Sequence, residues 1–124
     1  MDEELKYKAF ELQSLIQKTH SDISTACDIV IYQDNNSKYL VSLGFLNKSY
    51  MTYLEAKRYY RESRSIQRIE FVNFFKAYDN LEYELKEVIS KEDKNTSWLH
   101  SRIGEFQQEI KNVNNLIEIL ESTR

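Results

Sequence analysis

From Leu99 onward the apolar residues recur at helical spacing. Leu99, Ile103, Phe106, Ile110, Val113, Ile117 and Leu120 are separated alternately by four and three positions. An unbroken stripe of this kind predicts a helix over 97–122 that is coiled-coil-like in its narrow seam. Thr96 or Ser97 can cap its start by accepting backbone N–H bonds. Phe71, Phe74, Tyr78, Leu81, Leu85 and Val88 form a second stripe, which Phe75 and Ile89 widen. It predicts a helix over about 66–90. The polar residues 91–96 are an ordinary connection between antiparallel neighbours, so the two helices form a long hairpin. At 1.5 Å per residue that hairpin is about 40 Å long. The two stripes are expected to pack on each other. Their surplus apolar surface is expected to drive self-association, most simply as a dimer.

The N-terminal segment repeats the pattern. Leu5, Ala9, Leu12, Ile16, Thr19 and Ile23 step by four and three, which predicts a helix to about residue 24 or 26. The character then changes. Residues 28–33, Asp-Ile-Val-Ile-Tyr-Gln, are β-branched and aromatic. Residues 34–37 are Asp-Asn-Asn-Ser, side chains that bond the local backbone in turns. Tyr39, Val41, Leu43 and Phe45 then alternate with other residues. This predicts a small β-hairpin over about 28–45, to which a short strand near 49–51 could add a third. A helix–turn–helix continuation is the competing assignment. Thr52 followed by Glu55 fits a capping box, so a helix is expected from 52 to about 63, with a break at 62–65. The same spacing also carries through the break and allows one helix over 52–90. The expected fold is mainly α and a single domain over 1–124. It comprises an N-terminal helix, the hairpin at 28–45 and the C-terminal helical pair.

Composition narrows the chemistry. The 124 residues include no Pro, 2 Gly and 1 Cys, so Gly-rich phosphate loops, disulfide frameworks and Cys-rich metal sites are excluded. The start is acidic, unlike a secretory leader, and no apolar run approaches the ~20 residues of a membrane span. A cytoplasmic protein with no membrane contact is expected. The net charge of −3 is unevenly spread. Residues 48–76 carry three acids and seven bases, whereas both flanking segments are acidic.

That basic segment is the candidate site. Lys57, Arg61, Arg64 and Arg68 are spaced as one helix face, with Tyr53 and Tyr60 beside them. Guanidinium groups fork onto carboxylate or phosphate, and Tyr rings stack on bases or guanidinium planes. The same residues can equally form a solvated face in which the arginines pair with Glu55 and Glu62. His20, Cys27 and His100 are the soft ligands, and no metal-ligand or nucleophile motif surrounds them. Neither catalytic residues nor a metal nor a cofactor is expected. Trp98 is read as a staple across the turn at 91–96, with an exposed contact residue as the other possibility. The expected function is therefore non-enzymatic. It is that of a regulatory or binding protein, an inhibitor or adaptor that covers an acidic surface on a protein partner. Size and composition associate it with phage and mobile-element accessory proteins. A nucleic-acid-binding accessory protein using Tyr and Arg residues of 50–68 is the alternative.

Overall fold

The computed structural model describes residues 3–122. Its elements are α1 (Glu3–Tyr32), α2 (Lys38–Glu62), a 3-10 turn (Arg64–Ile66), α3 (Ile69–Lys91) and α4 (Ser97–Ser122). Each helix runs antiparallel to its neighbours in the chain. Ser42 donates to the Ala26 carbonyl at 2.8 Å and Lys48 lies 3.8 Å from Asp22, which fixes α2 along α1. Tyr53 stacks on Tyr78 and Tyr60 meets Phe71 edge-on, which fixes α3 along α2. Phe74 and Tyr78 both reach Phe106 on α4. The circuit closes where His20 packs on Phe106 and Gln13 bonds Asn114 at 3.2 Å. The result is an up-and-down four-helix bundle with one shared core.

The core follows from seven-residue repeats. On α1, Leu5, Leu12, Thr19 and Ala26 form one buried line, and Ala9, Ile16, Ile23 and Val30 form another. On α2, Leu46, Tyr53 and Tyr60 form one line, and Ser42, Ser49 and Ala56, continued by Ser63 just past the helix end, form the second. The second α2 line is all small residues. Small side chains let two helix backbones approach closely, since interaxial distance depends on what lies at the contact. The hydroxyls there are satisfied locally: Ser42 by the Ala26 carbonyl, Ser49 by the Leu46 carbonyl at 2.8 Å.

The stripes of α3 and α4 lie as the spacing predicts. Phe71, Phe74, Tyr78, Leu81, Leu85 and Val88 are buried, as are Leu99, Phe106, Ile110, Val113, Ile117 and Leu120. They are covered by α1 and α2 as well as by each other. This removes the surplus apolar surface on which a dimer through those stripes was expected.

The β-hairpin expected at 28–45 is absent: the described residues contain no strand. Residues 28–32 complete α1, because Val30 extends the line of Ile16 and Ile23 into the core. Residues 38–45 open α2. Only the turn chemistry at 34–37 holds, with Ser37 donating to Asn35 Oδ1 at 2.6 Å and the Lys38 amide to the Asn35 carbonyl. The capping box at Thr52 is also absent. Thr52 lies within α2, buried, and its hydroxyl leans on the Lys48 carbonyl. The break expected at 62–65 is present, since α2 ends at Glu62. No helix among the described residues is long and apolar enough to cross a membrane.

Candidate functional site

The chain leaves α2 at Glu62 and enters α3 at Ile69 through a short, well-anchored connection. Ile66 is fully buried and pins the middle. The Gln67 side-chain amide donates to the Tyr60 carbonyl at 2.6 Å and to the Ser63 carbonyl at 3.3 Å, adding to the backbone amides of Ser63 and Ile66 that these carbonyls also accept. Tyr60 donates its hydroxyl to the Arg68 carbonyl at 3.4 Å. The backbone that carries Arg64 and Arg68 is thus held from three sides.

The six residues picked out in the sequence divide into two groups. Tyr53 and Tyr60 are 2% and 9% exposed and belong to the core. Burial raises the pKa of both phenols, so they remain protonated. Lys57 is half-buried, with its ammonium 5.4 Å from the Tyr53 ring centre, and serves the fold as a cation–π partner. Arg61 and Arg64 are exposed and Arg68 half-buried. These three do not share one helix face. Arg61 ends α2, Arg64 opens the 3-10 turn and Arg68 precedes α3. The bend gathers them at one end of the bundle.

Among the described residues their guanidinium groups enter no ion pair. The ion pairs of the described residues are Glu4–Lys8, Asp22–Lys48, Glu82–Lys86, Glu87–Lys91 and Arg102–Glu105. Arg58, Arg61, Arg64 and Arg68 enter none of them, and neither Glu55 nor Glu62 is engaged by an arginine. Arg58 went unnoticed because it is out of step with the run Lys57, Arg61, Arg64. Its spacing of three from Arg61 is the signal that it is exposed beside it.

The soft ligands form no site. Cys27 is buried beside a cavity of about 100 Å³ lined by Ser24, Leu81, Ile103 and Phe106. Burial, with Asp28 nearby, pushes its thiol up to about 12, so it is not a nucleophile at neutral pH. His20 lies two helical turns away, about 10 Å along the axis, too far to share a proton with it. Among the described residues no three His, Cys, Asp or Glu side chains are grouped to hold a metal. Trp98 is 70% exposed and lines an open hollow with Tyr83 and with Lys91, Asp93 and Asn95 of the 91–96 connection, at the opposite end of the bundle.

Comparison with protein families, with curated proteins and with solved structures yields no match to this chain.

Proposed function

We propose that the protein is a cytoplasmic, non-enzymatic binding protein that uses Arg61, Arg64 and Arg68 to cover an acidic surface on a protein partner. The observation that carries this reading is the set of guanidinium groups that enter no ion pair among the described residues, on a connection fixed by Ile66, Gln67 and Tyr60. A pre-ordered backbone lowers the entropy that binding must overcome. Forked guanidinium groups suit carboxylates. The surroundings favour a discrete acidic patch over nucleic acid. The bundle topology sets the start of α1 and the end of α4 at the same end, bringing Glu3, Glu118 and Glu121 there with Glu62 and Glu70, beside the Glu4–Lys8 pair. An extended phosphate backbone would be repelled by this rim.

The test is parallel capture from a cell lysate by wild type and by R61E/R64E/R68E, each with and without nuclease. A circular-dichroism melt establishes that the variant is folded. The expected result is a nuclease-resistant protein held by wild type and released by the folded variant. Equal capture by both removes the arginine end as the binding surface. Recovery that depends on nucleic acid replaces the protein partner with nucleic acid.

A further inference from the structure

Helix α2 is buried along one side and carries exposed apolar residues on the opposite side. One side is the seam of Ser42, Ser49 and Ala56 with Leu46 and Tyr53. On the other, Leu40, Gly44, Asn47, Met51, Leu54 and Arg58 step by four and three along the helix and face outward. Leu40 is 73% exposed, Met51 66% and Leu54 42%, with exposed Val41 alongside. No other helix of the described residues exposes as many large apolar side chains.

Gly44 sits in the middle of this stripe. Glycine inside a helix costs about 1 kcal/mol relative to alanine. Nothing among the described residues requires it: a Cβ at Gly44 would meet no atom of theirs within 4 Å. Gly104 is equally open, but its helix neighbours His100, Ser101, Gln107 and Gln108 are polar, so no seam runs there.

We propose that the outward face of α2 binds a second copy of this chain, α2 against α2, antiparallel about a two-fold axis at Asn47. The sequence of the stripe is self-complementary in that register. Leu40 meets Leu54 of the second copy. Met51 enters the gap at Gly44 of the second copy, the one position of the stripe without a side chain. Asn47 meets itself, and a carboxamide both donates and accepts, so two of them pair across a two-fold axis. A single Asn in an apolar seam also fixes register. Arg58 arrives beside the turn at 33–37 of the second copy, where Asp34 is exposed and enters no ion pair among the described residues. Lys48, on the flank, is already paired with Asp22 at 3.8 Å, so two copies of it approach without unbalanced charge. Parallel pairing would set Arg58 on Arg58 and Gly44 on Gly44, giving repulsion and a void. The stripe ends before Arg61, Arg64 and Arg68. This inference goes beyond the arginine-end reading and stands without it.

Sedimentation velocity from low to high micromolar concentration tests the association. Wild type is expected to pass from monomer to dimer. Gly44→Leu is expected to weaken the dimer at least about tenfold while leaving the melt of the monomer intact, since its side chain points to open space. Arg58→Asp and Asp34→Arg are each expected to weaken it, and the double swap to restore it, as for a charge pair across an interface. Asn47→Cys is expected to give a disulfide-linked dimer under mild oxidation, whereas Arg61→Cys is not. Wild type that stays monomeric throughout overturns the proposal. So does a double swap that fails to restore association, or equal cross-linking at 47 and 61. Binding of α2 to lipid vesicles without self-association would assign the face to a membrane surface and also overturn it.

Discussion

The ring of Tyr53 lies flat on that of Tyr78, with centroids 4.1 Å apart and planes 17° from parallel. The two phenols then diverge. Tyr53 donates to Asp79 Oδ1 at 2.5 Å, and the Tyr78 oxygen lies 2.7 Å from Ser49 Oγ. Ser49 has one hydroxyl proton and gives it to the Leu46 carbonyl, so Tyr78 is the donor to Ser49. The pair therefore joins α2 to α3 through stacking and two directed hydrogen bonds.

Tyr53→Phe is expected to cost about 0.5–1.5 kcal/mol, because Asp79 is exposed and water replaces the lost donor. Tyr53→Ala removes the stack and leaves a cavity, with an expected cost of about 3–5 kcal/mol. Urea denaturation of both variants checks the ratio. Equal losses would mean that the hydroxyl, and not the ring, holds the seam.

Three of the four helices were legible because their buried faces are made of large apolar residues. Leu99 through Leu120 show a clean stripe, and the expected span 97–122 matches α4. Helix α2 was legible only in its second half, where a helix over 52–63 was expected; its first half was not, for two physical reasons. Its core line Ser42, Ser49, Ala56 and Ser63 is small and mostly polar, so it does not register as a hydrophobic face. Its outward side carries Leu40, Val41, Met51 and Leu54, which register as one. Between the two sides, Tyr39, Leu43 and Phe45 are half-buried against the core, and with exposed Val41 they imitate the alternation of a strand. The basic segment was legible by composition, but its Tyr53 and Tyr60 were assigned to the surface. Their spacing of seven from Leu46 marks them as core.

The small line on α2 sets a steric limit. Ala56 is fully buried against its neighbours. Ala56→Leu is expected to destabilise by about 1–3 kcal/mol through overpacking, although leucine is a good helix former. Gly104→Ala is the control: its Cβ meets nothing, and the better propensity is expected to stabilise by about 0.5–1 kcal/mol. Thermal melts that rank the two in the reverse order would show that α1 and α2 are not closely packed.

Helix α3 closes with a left-handed residue. Glu92 has φ 48° and ψ 45°, its amide donating to Ile89 O at 3.3 Å and the next amide, of Asp93, to Val88 O at 3.1 Å. This is a Schellman-type ending, where glycine is the preferred residue because a Cβ strains this conformation. Glu92→Gly is expected to raise stability by about 0.5–1 kcal/mol, and Glu92→Val to lower it. A lower melting temperature for Glu92→Gly would mean that the turn at 91–96 is held by contacts of the Glu92 side chain.

His20 gives the fold a pH dependence of definite sign. Its ring packs 5.7 Å from that of Phe106, and burial lowers its pKa below the ordinary 6.5. Above 6.5 both folded and unfolded chains hold it neutral, and it contributes nothing to the slope. Below 6.5 the unfolded chain takes up a proton before the folded one does, so stability falls until the folded pKa is passed. Glu82 acts oppositely. Burial raises its pKa above 4.5, so its charged form penalises the fold at neutral pH, and the penalty lifts as pH drops through its folded pKa. Lys86 at 3.8 Å reduces that penalty without removing it. Urea midpoints taken stepwise downward from neutral pH are expected to decline first and then flatten. His20→Gln is expected to remove the decline, and Glu82→Gln to remove the compensation and steepen the acid limb. A His20→Gln profile that overlays that of wild type would place the acid sensitivity elsewhere in the bundle.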